Sequence, residues 1–174
     1  MAQLQWSENL VLGMPQVDQT HQEFVALLAT VASATEAQLR TLYLELLAHT
    51  KVHFGMEDQW MQATEFASFH CHSMQHTMVL DVMQQALDRY DEGDLEVLRI
   101  VAHELGLWFE HHADAMDAAL VGHLIKIGFD ATTGSINNPE ALARASKAAC
   151  GEPDHACAST EQASNAKTQA ETIA

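Results

Sequence analysis

The sequence predicts an all-α protein, an up-down-up-down antiparallel four-helix bundle. Three observations predict this fold. No proline lies between residues 16 and 138, so nothing in that stretch forbids long helices. Apolar residues recur there every three or four positions, which is the period of a helix with one buried face. Only short breaks separate the periodic segments, and short connections make consecutive helices antiparallel neighbours.

Each of the four predicted helices has its own apolar stripe. In chain order the stripes are Phe24, Leu27, Leu28 and Val31; Leu39, Leu42, Leu46, Met56 and Trp60; Phe69, Val79, Leu80, Met83 and Leu87; and Leu98, Val101, Leu105, Trp108 and Phe109. Asp18 is the predicted N-cap of the first helix. Breaks at residues 34–37, 64–68 and 91–94 then give helices of about 17–27 residues. No alternating pattern is long enough to predict a strand.

The C-terminal part of the chain has a different composition. Residues 139–174 contain 11 alanines but only two large aliphatic side chains. Such a segment cannot bury enough apolar surface to offset the entropy lost on ordering. We therefore predict a bundle domain over residues 1–125 and a low-complexity, Ala-rich, flexible extension over residues 126–174. Within it, helix propensity favours one helical stretch at residues 139–149.

Charge and composition exclude several functional classes. The chain has 24 acidic and eight basic residues, a net charge of -16, and such a surface repels nucleic-acid backbones. No apolar run approaches the roughly 20 residues of a membrane span, so we expect no membrane insertion. The N-terminal sequence lacks the pattern of a secretory signal, and three scattered cysteines do not form a disulfide framework. We therefore expect a cytoplasmic protein.

Histidine is unusually frequent and unusually placed. Ten of the 11 histidines fall before residue 124, and each predicted helix has at least one on its apolar stripe. The histidines on the stripes are His21, His49, His53, His72, His76 and His112. Two carboxylates, Glu57 and Asp117, follow on the same helices. One such histidine is usually a core residue, but a set of this size predicts a metal site, because unpaired buried polar groups each cost about 1–3 kcal/mol.

The spacing within two helices supports metal binding. His53 and Glu57 are four residues apart, as are His72 and His76, so each pair lies on one helical face. Imidazole and carboxylate together suit iron, zinc, copper or manganese. No cysteine lies on the stripes, which argues against a structural zinc site.

Spacing alone leaves three choices open. His112 and Asp117 are five residues apart, which displaces them by about 140° on an ideal helix. His111 and Asp114 are equally available, and periodicity favours His112 over His111 without choosing the carboxylate. His49 is either a ligand, a partner of a ligand or a packed side chain.

Taken in order, these residues resemble the motifs of the hemerythrin family, in particular of bacterial hemerythrins. The matching motifs are Asp18-x-x-His21, His53-Phe54-x-x-Glu57, His72-x-x-x-His76 and Trp108-x-x-x-His112 followed by Asp117. Each motif alone is weak, but the ordered set is highly specific. The resemblance covers residues 6 to about 124.

The resemblance implies a cofactor of two non-haem iron ions with a bridging oxo or hydroxo group in the bundle core. His72, His76 and His112 would bind one iron, and His21 and His53 the other. Glu57 and Asp117 would bridge both. The resemblance thus selects His112 and Asp117 over their neighbours. The histidines that match no ligand position are His49, His70, His103, His111, His123 and His155.

The function implied by the resemblance is reversible binding of dioxygen, for storage or delivery to an oxygen-consuming enzyme, by a protein that is not itself an enzyme. The alternatives are an oxygen or redox sensor, or a di-iron peroxidase, nitric-oxide-handling or iron-repair protein. The sequence leaves the oligomeric state open, with a slight preference for a monomer. An apolar wall around the irons would delay autoxidation. Its candidate members, for which core packing is an equal explanation, are Leu28, Phe54, Met56, Trp108 and Phe109.

Overall fold

The computed structural model describes residues 4–149. The helices are α1 (Pro15–Ser33), α2 (Glu36–Ala63), α3 (Phe69–Asp91), α4 (Val97–His112), α5 (Ala118–Ile127) and α6 (Pro139–Ala149). A 3-10 turn spans Glu8–Leu10, and a π-helical turn, Ala113–Asp117, joins α4 to α5. The strands are β1 (Phe129–Asp130) and β2 (Ser135–Ile136). No helix in this range is long and apolar enough to cross a membrane.

The predicted all-α bundle is confirmed. Helix α1 packs against α2, α2 against α3, and α3 against α4. Helix α1 also packs against α4, so the four helices form a closed bundle. The connections span residues 34–35, 64–68 and 92–96, so consecutive helices are antiparallel. The fourth helix of the bundle is the continuous rod formed by α4, the π-helical turn and α5.

Local interactions fix the junction between α1 and α2. Thr35 is the N-cap of α2, and the side-chain oxygen of Gln38 accepts a hydrogen bond from the Thr35 backbone N–H at 3.3 Å. Arg99 of α4 donates to the carbonyl oxygens of Val31 and Ala34 at 3.3 and 2.6 Å. Both carbonyl groups lie at the C-terminal end of α1, and that of Val31 also accepts a hydrogen bond from the Ala34 N–H at 3.3 Å. The break predicted at residues 34–37 is therefore confirmed at residues 34–35, while α2 already begins at Glu36.

The prediction that Asp18 is the N-cap of the first helix is wrong. Helix α1 begins at Pro15 after Met14, because proline at the first helical position needs no N–H partner. Asp18 lies in the first turn, and its carboxylate accepts hydrogen bonds from the backbone N–H groups of Leu12 and Gly13 at 2.7 and 3.1 Å. Asp18 therefore fixes the preceding loop against the helix that carries His21.

Two apolar clusters fill the bundle and leave a polar layer between them. The larger cluster includes Phe24, Leu28, Leu46, Met83, Leu105 and Phe109. The smaller cluster includes Met14, Val17, Trp60, Met61, Leu120 and Leu124. On every helix of the bundle, the buried histidines and carboxylates come between members of one cluster and members of the other. The clusters therefore position this layer and separate it from the two ends of the bundle.

The described part of the C-terminal extension is folded. Gly128 ends α5 in the left-handed region at φ 62°, and a short antiparallel hairpin follows in which Phe129 pairs with Ile136. Helix α6 covers the stretch for which propensity predicts a helix, and it packs against α5 with Ala141 buried. The predicted flexibility otherwise concerns residues 150–174, which lie outside the described residues.

Candidate metal centre

All seven predicted ligands lie together in the polar layer. They are His21, His53, Glu57, His72, His76, His112 and Asp117. None exposes more than 2% of its surface. Because water does not reach these side chains, their polar atoms need partners inside the bundle.

Three imidazoles converge from α3 and α4. The Nε2 atom of His112 lies 3.1 Å from that of His72 and 3.3 Å from that of His76. Oδ1 of Asp117 lies 3.1 Å from His72 Nε2 and 3.2 Å from His112 Nε2. Oε2 of Glu57 lies 3.3 Å from His76 Nε2. We call this group the three-histidine pocket, and its five ligand atoms lie within 4.8 Å of one another.

The remaining two imidazoles converge from α1 and α2. The Nε2 atom of His53 lies 2.9 Å from Oε1 of Glu57. The Nε2 atom of His21 lies 3.8 Å from the same oxygen and 3.4 Å from Oδ2 of Asp117. We call this group the two-histidine pocket.

The two carboxylates connect the pockets. Glu57 directs Oε1 to the two-histidine pocket and Oε2 to the three-histidine pocket. Asp117 likewise directs Oδ2 to His21 and Oδ1 to His72 and His112. This is the arrangement that two adjacent cations sharing two bridging carboxylates require.

The π-helical turn accounts for the spacing of His112 and Asp117. An α-helix would place residues five apart on different faces, whereas a π-helix hydrogen-bonds residue i to residue i+5. The turn at Ala113–Asp117 thus brings the Asp117 carboxylate to the His112 imidazole. His111 and Asp114, which spacing alone left as alternatives, are both exposed.

The donor set fits a pair of metal ions. Several buried ligand atoms have no hydrogen-bond partner within the described residues, including Nε2 of His21, Oε2 of Glu57 and both side-chain oxygens of Asp117. Each such atom costs about 1–3 kcal/mol when unsatisfied. Divalent cations between the imidazoles and the carboxylates would satisfy them together.

The buried polar layer contains ion pairs between imidazoles and carboxylates. Burial lowers the pKa of His21, but Asp117 and Glu57 outweigh this and raise that pKa to about 9. Burial also opposes charge on His76, yet Asp58 and Glu57 raise its pKa to about 9. Burial favours the protonated carboxyl groups, but the surrounding imidazoles hold the pKa values of Glu57 and Asp117 well below their usual range.

Two further polar residues hold ligand histidines from outside the pocket. The Nδ1–H group of His76 donates to Oδ1 of Asp58 at 3.0 Å, and that of His112 donates to Oε1 of Gln75 at 3.1 Å. Ser73 also donates to Asp58, at 3.1 Å. The sequence reasoning missed Asp58 and Gln75. The one available signal was position, because each directly neighbours a motif residue.

Aromatic rings cover the ligand imidazoles. Phe54 stacks on His76 with ring centroids 4.0 Å apart and an interplanar angle of 6°. Trp108 stacks on His112 at 4.2 Å. Phe109 presents its edge to His21 at 4.9 Å. These are three of the five residues proposed for the wall; Phe24, which also contacts His53, was missed.

The other two residues proposed for the wall, Leu28 and Met56, pack within the apolar clusters. Their placement fits the alternative explanation, core packing.

The described histidines outside the two pockets have other partners or positions. His49 lies 3.3 Å from the Glu23 carboxylate, and His123 lies 3.0 Å from the Thr64 carbonyl oxygen. His103 is half-buried, His70 and His111 are exposed, and His155 lies outside the described residues.

Cys71 does not contribute a ligand atom to either pocket. It is half-buried beside His72 and is disulfide-bonded. Cys150 and Cys157 lie outside the described residues.

Comparison with known proteins agrees with this geometry. The profile of a family described as Hemerythrin HHE cation binding domain matches residues 13–124, which include all seven residues of the two pockets. A protein of Ralstonia nicotianae named Bacteriohemerythrin is 39% identical over 131 residues, which are 75% of this chain and 96% of the relative. Comparison with solved structures gives no significant match. This chain belongs to the hemerythrin family.

Proposed function

We propose that this chain binds dioxygen reversibly at a non-haem di-iron centre, either to store oxygen or to deliver it to an oxygen-consuming enzyme. Family membership and the buried cluster of histidines and carboxylates support a di-iron, oxygen-binding protein. The observation that carries the proposal is the sharing of Glu57 and Asp117 by two unequal pockets. The cytoplasmic location and the partner enzyme stay predictions.

The two pockets would hold one iron each. In the three-histidine pocket, His72, His76 and His112 would bind one ion together with one oxygen of each carboxylate. In the two-histidine pocket, His21 and His53 would bind the other ion with the remaining oxygens. The second pocket thus offers one protein ligand fewer, which leaves room for an exogenous ligand such as dioxygen.

The ligand set favours release over oxygen activation. Two ferrous ions, when bound, can together give dioxygen two electrons and recover them when the oxygen leaves. Oxygen-activating bundles of the ferritin-like type surround their metals with four glutamates and two histidines. Here five imidazoles and two carboxylates give a less anionic environment, which stabilises highly oxidised iron less. This difference supports a binding protein rather than an enzyme.

The aromatic cover limits access of water to the two-histidine pocket. Phe109 lies edge-on to His21, and Phe24 packs edge-on against His53 with ring centroids 6.3 Å apart. Both phenylalanine side chains are almost completely buried. Excluding water and protons from this side would slow loss of the bound oxygen as a reduced product.

Visible spectroscopy tests the proposal. The protein is loaded with ferrous iron without oxygen, exposed to oxygen and then purged with argon. We expect a new charge-transfer band that disappears on purging, in the native protein and in a matched control, His111→Ala, which removes an exposed imidazole from α4. A band that decays to a diferric spectrum and does not reverse would contradict the proposal and favour a sensor or an enzyme.

A further inference from the structure

We infer that the three-histidine pocket takes up the first metal ion and that Asp58, acting through His76, is a positioning residue that makes this pocket the tighter of the two. The inference rests on the ligand assignment proposed above and is independent of dioxygen binding. Asp58 contributes no ligand atom to either pocket.

The starting observation is a difference in how the ligand imidazoles are held. His76 and His112, both in the three-histidine pocket, donate their Nδ1–H groups to Asp58 and Gln75. In the two-histidine pocket, Nδ1 of His21 and Nδ1 of His53 are buried without a hydrogen-bond partner within the described residues. His72 is the third ligand whose Nδ1 atom has no such partner. Within residues 4–149, therefore, only the three-histidine pocket contains imidazoles anchored by a hydrogen bond at Nδ1.

Asp58 determines the tautomer of His76 as well as its position. A carboxylate can only accept, so the contact requires a proton on Nδ1, and Nε2 is then the atom left to bind a metal. A carboxylate in this position also makes the imidazole a more basic ligand. The choice of tautomer follows from hydrogen bonding alone and does not require a particular pH.

Two further contacts restrict the movement of Asp58 and His76. Ser73 donates to the second oxygen of Asp58 at 3.1 Å, so both carboxylate oxygens have partners on α3. On the other side, Phe54 lies parallel to the His76 ring at 4.0 Å. The imidazole is thus held by a hydrogen bond at its edge and by stacking on its face. A ligand held in this way loses little conformational freedom when it binds an ion.

The number of convergent donors points in the same direction. Five ligand atoms of the three-histidine pocket lie within 4.8 Å of one another, whereas the corresponding group around His21 and His53 contains three, including Glu57. The first ion therefore meets more donors, already oriented, in the three-histidine pocket. The second ion then enters the two-histidine pocket beside carboxylates that the first ion has already fixed.

Cobalt(II) titration of the metal-free full-length chain tests the inference. Calorimetry and visible absorption give the affinity and the environment of each ion. We expect two ions per chain in two steps. Asp58→Ala weakens the first step by about 10–100-fold, a typical loss when a partner of a metal-binding histidine is removed. Asp58→Asn weakens it less, because the amide oxygen still accepts the Nδ1–H bond without the charge.

Control variants separate positioning from general effects. Asp114→Asn removes one negative charge from an exposed side chain near the centre and should leave both steps within about twofold of the native values. His53→Ala should lose the second step and keep the first. Proton NMR of the cobalt form adds a local signature: the shifted Nδ1–H signal of His76 should broaden through exchange in Asp58→Ala and persist in Asp58→Asn.

Three results would overturn the inference. The first is an Asp58→Ala chain that folds and binds its first cobalt ion as tightly as the Asp114→Asn chain. Asp58 would then have only a structural role, in the contact between α2 and α3. The second is a His53→Ala chain that loses the first step and keeps the second. The third is a native chain that binds no cobalt, which would also refute the proposed metal centre. Failure of reversible oxygen binding alone would leave the inference intact.

Discussion

The two pockets of the metal centre share Glu57 and Asp117 but differ in almost everything else. The three-histidine pocket has anchored imidazoles, stacked rings and a larger set of convergent donors. In the two-histidine pocket, Nδ1 of each imidazole has no hydrogen-bond partner within the described residues, and the proposed assignment gives one protein ligand fewer. With one ion in each pocket, as proposed, the first would be held firmly and the second would keep an open coordination position.

The largest loss of iron loading is expected from a change in the three-histidine pocket. His76→Ala removes a donor from the three-histidine pocket and leaves Oε2 of Glu57 without its nearest imidazole, which is 3.3 Å away in the native protein. We expect stable loading to fall to about one iron per chain or less, because the site that should fill first is lost. Iron analysis after gel filtration measures this. A variant with two irons and an unchanged spectrum would refute the assignment.

A smaller loss of iron is expected from a change in the two-histidine pocket. His21→Ala removes one of the two imidazoles of the two-histidine pocket and its edge contact with Phe109, but it leaves the three imidazoles of α3 and α4 in place. We expect about one iron per chain to remain and the spectral response to oxygen to disappear. Retention of a reversible oxygen band in this variant would show that the open position lies elsewhere.

The contact between Gln75 and His112 allows a finer test. Gln75→Leu removes a neutral hydrogen bond to an Nδ1–H group, whereas Asp58→Ala removes a charged one. Neutral hydrogen bonds contribute about 0.5–1.5 kcal/mol, so we expect the first cobalt step to weaken by roughly 2–12-fold. The control is Gln84→Leu, at an exposed position further along α3. A loss larger than that of Asp58→Ala would reverse the ranking of the two contacts.

Protonation provides a comparison that involves both pockets. His21 and His76, one in each pocket, have pKa values raised to about 9. These raised pKa values stabilise the metal-free fold. The stabilisation is fully present at pH values below 6.5, the pKa of histidine in the unfolded chain, and it is lost as pH rises through about 9. Metal binding must displace these protons, so metal affinity should rise with pH across the same window.

Calorimetry at pH 8 in buffers of different ionisation enthalpy counts the protons released. We expect up to about two per chain on full loading, with one lost in each step. Release of both protons in one step would contradict the assignment of one raised imidazole to each pocket.

The smallest effect is expected from the C-terminal segment. Deletion of residues 150–174 from a Cys71→Ser parent should leave metal loading unchanged, because the matched family region ends at residue 124. The parent carries this substitution because Cys71 is disulfide-bonded and the deleted segment contains the other two cysteines of the chain. The cut spares α6, which packs against α5 through the buried Ala141. Iron content and thermal unfolding of the shortened protein measure the effect. Loss of iron would show that this segment supports the centre.

Much of the bundle could be predicted from periodicity. The absence of proline and the four apolar stripes predict the helices, and the histidines on those stripes predict the polar layer. The start of α1 was misplaced because Asp18 fits an N-cap statistically, while Pro15 begins the helix three residues earlier. The β1–β2 hairpin was missed because its strands have two residues each, too few for an alternating pattern.

The candidate site was only partly accessible to sequence reasoning. Spacing on an ideal helix could not pair His112 with Asp117, because Ala113–Asp117 gives no signal of a π-helical turn. Asp58 and Gln75 were missed for a different reason. Their contacts join α2 to α3 and α3 to α4, and they depend on how the helices rotate against each other. Periodicity within one helix carries no information on that rotation.

Mössbauer spectroscopy of the iron-loaded protein under oxygen shows whether two iron ions occupy two unequal pockets. In the proposed assignment only the ion in the two-histidine pocket has an open position, so we predict two irons per chain and two quadrupole doublets of equal area. Purging with argon should return the spectrum to that of the reduced protein. A single iron per chain, or a single doublet that stays unchanged when oxygen is added, would contradict the proposal of two unequal iron sites.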